Sequence, residues 1–228
     1  METWFESRGQ MGGQAAVVPE VDIVQAMSLF PTPVVRARLP DAVALNAELT
    51  AQIDARIAGY PSVAKSNLGG WQSDDDFPAW GGAPARRLVA AVCALADRVT
   101  VLVEDGALVR RGVPWRVNAW VNVNGAGDAN DMHAHPGAYW SCVYYVAADD
   151  LGAAAGGELE FHDPRGTMPT MYAPQLKAAF EGCVTAGLWE RLQPATGELI
   201  LFPSWLLHAV RPYHGPARRI SIAFNLCL

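Results

Sequence analysis

Chemistry concentrates in the stretch Asn130-Asp131-Met132-His133-Ala134-His135-Pro136-Gly137-Ala138. The chain has five histidines, and two of them stand here at i and i+2. Residues two apart on a strand share a face, so the imidazoles of His133 and His135 can aim at one point. A third histidine, His208, closes the run Leu199-Ile200-Leu201-Phe202-Pro203-Ser204-Trp205-Leu206-Leu207. Imidazoles suit iron, zinc or copper, and three protein ligands leave positions for substrate and water. Eleven residues after His208 comes Arg219-Ile220-Ser221, a guanidinium and a hydroxyl at strand spacing. Together they suit a terminal carboxylate, because a bidentate charge-assisted pair supplies both energy and orientation. Taken alone, either motif specifies little. A metal centre combined with a carboxylate anchor suits a chelating keto acid.

The elements that would carry these residues follow in order along the chain. Residues 1–26 contain Gly9, Gly12 and Gly13 without sustained periodicity and read as a flexible leader, with one domain over 27–228. Ser28 to Ala37 reads as a proline-interrupted edge strand. Val43, Leu45, Leu49, Ile53 and Ile57 predict an amphipathic helix from Asp41 to about Gly59, and Leu88, Val92, Leu95 and Val99 predict a second from Ala83 to about Glu104, closed by Asp105-Gly106. Between the helices, Ser66 to Asp76 is a polar, glycine-rich loop whose Asp74-Asp75-Asp76 run reads as solvated surface.

From Arg116 onward the pattern is that of strands. Arg116 to Asn124 alternates, with Val117, Ala119, Val121 and Val123 on a face that would meet helices. Arg116, Asn118, Trp120, Asn122 and Asn124 fall on the opposite face, which is either solvent-facing or, the preferred reading, the wet functional interior of a barrel. Further strands are expected through the histidine pair, at Ser141–Ala147, Glu158–Asp163, Glu198–Phe202, His208–Tyr213 and Arg218–Leu226. Gln175 to about Leu192 reads as a helical insertion where a lid could sit. Helices followed by about eight short strands predict an α+β jelly roll with the helices on one outer sheet.

Composition limits the partners. With 228 residues, 51% of them hydrophobic, the chain can build one sizeable core. A net charge of −6 without a Lys/Arg stripe argues against nucleic acid or an anionic membrane, leaving a small molecule. Four scattered cysteines form no C-x-x-C pair and no disulfide framework. Neither a signal peptide nor a long apolar span is evident, so a cytoplasmic location is expected. Nothing in the sequence fixes the oligomeric state, a homodimer included.

These segments resemble the iron(II)- and 2-oxoglutarate-dependent oxygenases, in detail a bacterial and phage group. The similarity runs in order through Leu29-Phe30-Pro31-Thr32-Pro33, Ser66-Asn67-Leu68-Gly69-Gly70-Trp71-Gln72-Ser73, Trp120-Val121-Asn122-Val123-Asn124, His133-Ala134-His135-Pro136-Gly137-Ala138, Asp163-Pro164-Arg165, Phe202-Pro203-Ser204-Trp205-Leu206-Leu207-His208 and Arg219-Ile220-Ser221. The resemblance implies a double-stranded β-helix, cupin-like, with Fe(II) at its open end and 2-oxoglutarate and O2 as cosubstrates. It implies decarboxylation of 2-oxoglutarate to succinate and, as the usual outcome, hydroxylation of a small molecule. By the same resemblance His133 and His208 are metal ligands, and Arg219 and Ser221 anchor the far carboxylate.

His135 stands where the wider superfamily has an acidic residue. Three first shells follow: three histidines, which is preferred; two histidines with water; or a carboxylate from Glu158, Glu160, Asp163 or Asp131. Asn122 and Tyr144 are expected to contact the oxoglutarate, and Trp71, Trp140 and Trp205 to shape the substrate pocket. Two other functions compete: a three-histidine cupin-like metalloenzyme without 2-oxoglutarate, and a non-catalytic jelly-roll binding module.

Overall fold

Two antiparallel sheets face one another, and the histidine motifs sit at one end of the gap between them. The computed structural model describes residues 25, 30–148, 152–166 and 188–228. In chain order the elements are β1 (Val35–Arg38), α1 (Ala42–Gly59), β2 (Asn67–Leu68), β3 (Trp71–Gln72), α2 (Phe77–Trp80), α3 (Gly82–Arg98), β4 (Leu102–Glu104), β5 (Ala107–Val109), β6 (Arg116–Asn124), β7 (Ala129–His133), β8 (Trp140–Ala147), β9 (Leu159–His162), β10 (Trp189–Leu192), β11 (Glu198–Pro203), β12 (His208–Val210) and β13 (Arg219–Cys227). The larger sheet has the order β1-β11-β8-β13-β6-β3 and the smaller β10-β9-β12-β7-β2. This is the double-stranded β-helix, with the N-terminal helices covering the larger sheet.

Alternation explains which side chains meet which layer. Ile220, Ile222, Phe224 and Leu226 of β13, Ala119, Val121 and Val123 of β6, and Cys142, Tyr144 and Val146 of β8 form one core with Leu49 and Ile53 of α1 and Leu88 and Val92 of α3. Each valine, leucine, isoleucine or phenylalanine among them, fully buried, contributes about 1.5–3 kcal/mol, so this outer layer supplies most of the hydrophobic stabilisation. The alternate residues face the gap between the sheets. There Tyr145, Leu159, Phe161, Ile200, Phe202 and Leu206 make a second, smaller core. The larger sheet is therefore apolar on its helix side and mixed on its inner side, as the alternation of β6 predicts.

Several boundaries differ from expectation. The second helix stops at Arg98, and residues 102–109 form a hairpin. Its turn residues Asp105 and Gly106 take φ of 49° and 79°, the left-handed pair that an Asp-Gly hairpin turn requires. The β-branched run Val99-Thr100-Val101 favours that extended exit over helix. The loop at 66–76 contains β2 and β3, which pair with opposite sheets around Gly69 and Gly70. A side chain at Gly70 would come within 2.7 Å of the Val123 carbonyl oxygen, so the chain passes there only as glycine. Trp189–Leu192 is an edge strand beside β9, not the end of a helix. The rest of the helix and lid expected from Gln175, and the leader apart from residue 25, lie outside the described residues. The five strands not anticipated, β2, β3, β4, β5 and β10, are two to four residues long, too short to show a period. Among the described residues no helix is long and apolar enough to cross a membrane.

Candidate metal and keto acid site

β7 ends at His133, so strand alternation brings in only the first of the paired histidines. His135 lies in the following turn and is positioned by that turn's hydrogen bonds. Its N–H donates to the Ser204 carbonyl at 2.9 Å, and the Ser204 hydroxyl donates back to the Ala138 carbonyl. The turn after β7 and the turn before β12 are thereby stapled together. His208 opens β12 directly opposite His133 in the ladder. The three rings lie with centroids 4.4, 4.8 and 5.1 Å apart, and their ligand atoms all fall within 4.8 Å of one another.

Backbone carbonyls set the tautomers. His133 Nδ1 is 2.6 Å from the Asp131 carbonyl oxygen and His208 Nδ1 is 2.8 Å from that of Leu206. A carbonyl can only accept, so each Nδ1 carries the proton and each Nε2 presents a lone pair. Burial lowers the pKa of His133, takes His135 to about 4 and takes His208 to about 3, with repulsion from His133 adding to the latter two. All three are neutral at physiological pH, the state a metal ligand needs.

No carboxylate joins this cluster among the described residues. Glu160 is held by Arg191 at 2.6 Å and lies 3.7 Å from His162. Asp163 is paired with Arg165 at 2.7 Å, and Asp131 accepts from the Met132 N–H. Glu158 is likewise outside the group.

At the other end of the inner face stands Arg219, 2% exposed. Its Nη1 is 3.4 Å from both Asn124 Oδ1 and Ser221 Oγ, while among the described residues Nε and Nη2 have no hydrogen-bond partner within normal geometry, although the nearby Tyr145 hydroxyl favours the charged form. The guanidinium carbon lies 5.1 Å over the Tyr145 ring. Among the described residues no carboxylate forms an ion pair with it, and burial pulls its pKa down. Guanidinium stays charged even so, and a buried cation without an anion is costly. Gly157, at φ 71°, closes over this group; a side chain there would come within 3.2 Å of Arg219 Cδ and Nε. Asn122 and Tyr145 flank Ser221 in register, and Asn122 Oδ1 is also buried without a partner among the described residues. The unmet donors and the cradle fit a carboxylate, and the neutral imidazoles fit a divalent metal.

Sequence reasoning erred on the aromatic residues. Tyr144 does not line the cavity: alternation turns it to the helix side, where its hydroxyl donates to Asn46 Oδ1 at 2.7 Å. Its neighbour Tyr145 takes the inner position. Trp140 is in the helix-side core, with its indole N–H donating to Thr100, and Trp71 packs at the edge of that core and donates to the Tyr60 carbonyl. Trp205 is 56% exposed in the turn before β12 and does not line the cavity. The tryptophan that does is Trp120, whose ring lies 5.3 Å from His135. Its place among the asparagines of β6 was the available signal.

Residues 118–225 match the family model described as "Putative 2OG-Fe(II) oxygenase", a span that contains all three histidines, Arg219 and Ser221. Over that span the chain matches the 2OG-Fe(II) oxygenases. It is accordingly an oxidoreductase that uses iron(II) and 2-oxoglutarate. No curated protein sequence matches the chain. Among solved structures it is similar to a prolyl-4-hydroxylase of Pseudomonas putida, at 16% identity over 86% of this chain and 92% of that one, with a TM-score of 0.59. It is similar also to a Trichoplax adhaerens prolyl hydroxylase solved with a hypoxia inducible factor peptide, at 16% identity over 85% and 83% of the two chains and a TM-score of 0.58. A third is HygX of Streptomyces hygroscopicus, solved with nickel and 2-oxoglutarate, at 13% identity over 86% and 83% and a TM-score of 0.56. At these identities the likeness establishes the fold.

Proposed function

We propose that His133, His135 and His208 hold the iron of this oxygenase, that Arg219 and Ser221 hold the far carboxylate of 2-oxoglutarate, and that the enzyme hydroxylates a small molecule in the cytoplasm. The observation that carries the reading is the buried, unpaired guanidinium of Arg219 on the same inner surface as three neutral imidazoles. Iron, when bound, supplies the oxidising chemistry with dioxygen while 2-oxoglutarate is decarboxylated to succinate. The protein's share is positioning and exclusion of water. Asp131 and Leu206 carbonyls fix two imidazoles with Nε2 inward, and the stapled turns carry the third. Arg219 orients the keto acid from its far end, with Asn122 and Tyr145 beside it.

Three neutral ligands leave the site one negative charge short of a two-histidine, one-carboxylate set. The carboxylate that the keto acid presents at the metal offsets part of that difference, its far carboxylate being matched by Arg219. X-ray absorption on the iron(II)-loaded, 2-oxoglutarate-bound protein tests the ligand set: three imidazoles are expected in wild type and two in His135→Ala. A count of two in both proteins would remove His135 from the shell.

A further inference from the structure

Register places a second polar group at the metal end of the same inner face. Asn225 of β13 lies opposite Asn118 of β6 and opposite Ser141 of β8. This row is six residues beyond Arg219, about 20 Å along the strand at 3.4 Å per residue. A five-carbon keto acid spans only about 6 Å, from four bonds near 1.5 Å. A molecule anchored at Arg219 therefore does not reach Asn225. The row lies instead at the end where the stapled histidine turns open, next to Trp120 and the His135 ring.

The row is built, and its polar atoms are unevenly used. Asn225 is 8% exposed; its Oδ1 accepts from the Ser141 hydroxyl at 2.8 Å, and its Nδ2 has no partner among the described residues. Asn118 Nδ2 is 3.5 Å from Asp75 Oδ2, leaving Asn118 Oδ1 free to accept. Asp75 is held to β6 through its carbonyl, which accepts from the Ala119 N–H at 3.1 Å. Trp120, two residues along β6 from Asn118 and with its ring 5.3 Å from His135, adds an aromatic face on this side of the sheet. The free N–H groups of the two amides thus face a larger set of acceptor lone pairs, those of Asn118 Oδ1 and of the Asp75 carboxylate.

We infer that Asn118, Asn225 and Asp75 form the subsite for the prime substrate, and that it takes a ligand rich in hydrogen-bond donors: a hydroxylated ring, bound more tightly when it bears an ammonium group. The acceptor excess calls for donors on the ligand. Asp75 favours a cation over an anion, and the Trp120 ring offers an apolar face for the ring carbons. This inference rests on the assignment of the three histidines as the metal site.

Three ring probes that differ in one substituent test it: glucosamine, glucose and glucuronate, titrated by ligand-observed NMR into the full chain loaded with zinc and 2-oxoglutarate. Glucosamine should bind tightest and glucuronate weakest. Asn225→Leu should weaken glucosamine and glucose about tenfold, the loss expected from one hydrogen bond and a stranded partner. Asp75→Asn, at an exposed position, should erase the advantage of glucosamine over glucose while glucose binding persists. Affinity for 2-oxoglutarate should be unaltered in both variants. Tightest binding of glucuronate, absence of binding by all three probes, or equal affinities in wild type and both variants would overturn the subsite. Failure of 2-oxoglutarate to bind wild type would instead overturn the keto acid assignment, and the zinc-loaded protein alone would still decide the sugar series.

Discussion

Replacing Arg219 with methionine should change ligand-free stability and 2-oxoglutarate affinity in opposite directions. In the ligand-free protein the guanidinium is 2% exposed, and among the described residues two of its nitrogens have no partner and the hydrogen bonds of the third are 3.4 Å long. Methionine keeps much of the apolar stem and removes the unmet donors, each of which costs about 1–3 kcal/mol. The lost contact with the Tyr145 ring offsets part of this. A net gain of about 1–2 kcal/mol is expected, a rise in melting temperature of about 2–8 °C for a chain of this size. Binding should move the other way. Two charge-assisted hydrogen bonds to a buried carboxylate are worth about 3–5 kcal/mol together, so the dissociation constant should rise by roughly two to three and a half orders of magnitude. Calorimetric titration of the zinc-loaded variant without oxygen reads the affinity, and thermal unfolding of the metal-free variant reads the stability. An affinity within about threefold of wild type, less than 1 kcal/mol, would refute the anchor. A variant less stable than wild type would refute the claim that the cation is unpaired.

Other perturbations separate the parts of the site. Gly157→Ala should weaken 2-oxoglutarate binding without touching the metal, since the added carbon comes within 3.2 Å of Arg219 at a left-handed φ of 71°; metal affinity and keto acid affinity measured side by side check this. Tyr144→Phe should cost stability, about 1 kcal/mol for a lost buried hydrogen bond to Asn46, and leave KM for 2-oxoglutarate unchanged, whereas Tyr145→Phe should alter KM. Metal-free protein should lose stability as pH falls below 6.5. The folded pKa of His208 is lowered to about 3, so the unfolded chain binds more protons between those values. This histidine alone should contribute about 2 kcal/mol of loss between pH 7 and 5, seen as a falling melting temperature. A flat profile over that range would contradict a neutral, buried His208.

Much of this was legible in the sequence because it depends on period and spacing. The alternation of β6 already separated Ala119 and Val121 from Trp120 and Asn122, and the structure keeps that division. His133 and His208 are strand residues and fell into register as expected. His135 reached the site by another route, since the strand ends before it and a turn held by Ser204 carries it in. What failed was assignment that needed the face of a strand without clear alternation. Trp140 to Val146 is apolar or aromatic on both faces, so nothing local distinguished Tyr144 from Tyr145. The Asp105-Gly106 pair is a strong hairpin turn, but the helical stripe leading up to it concealed the change. Pairing across distant segments, such as Asn118 with Asn225, appears only when the sheet is assembled.

The most direct test is the conversion of 2-oxoglutarate to succinate by iron-loaded protein in air, with His208→Ala and Arg219→Met beside wild type. Three imidazoles and one guanidinium acting as described predict succinate from wild type, none above background from His208→Ala, and from Arg219→Met a rate restored only at far higher 2-oxoglutarate. Succinate formed equally by all three proteins would contradict the assignment of both groups.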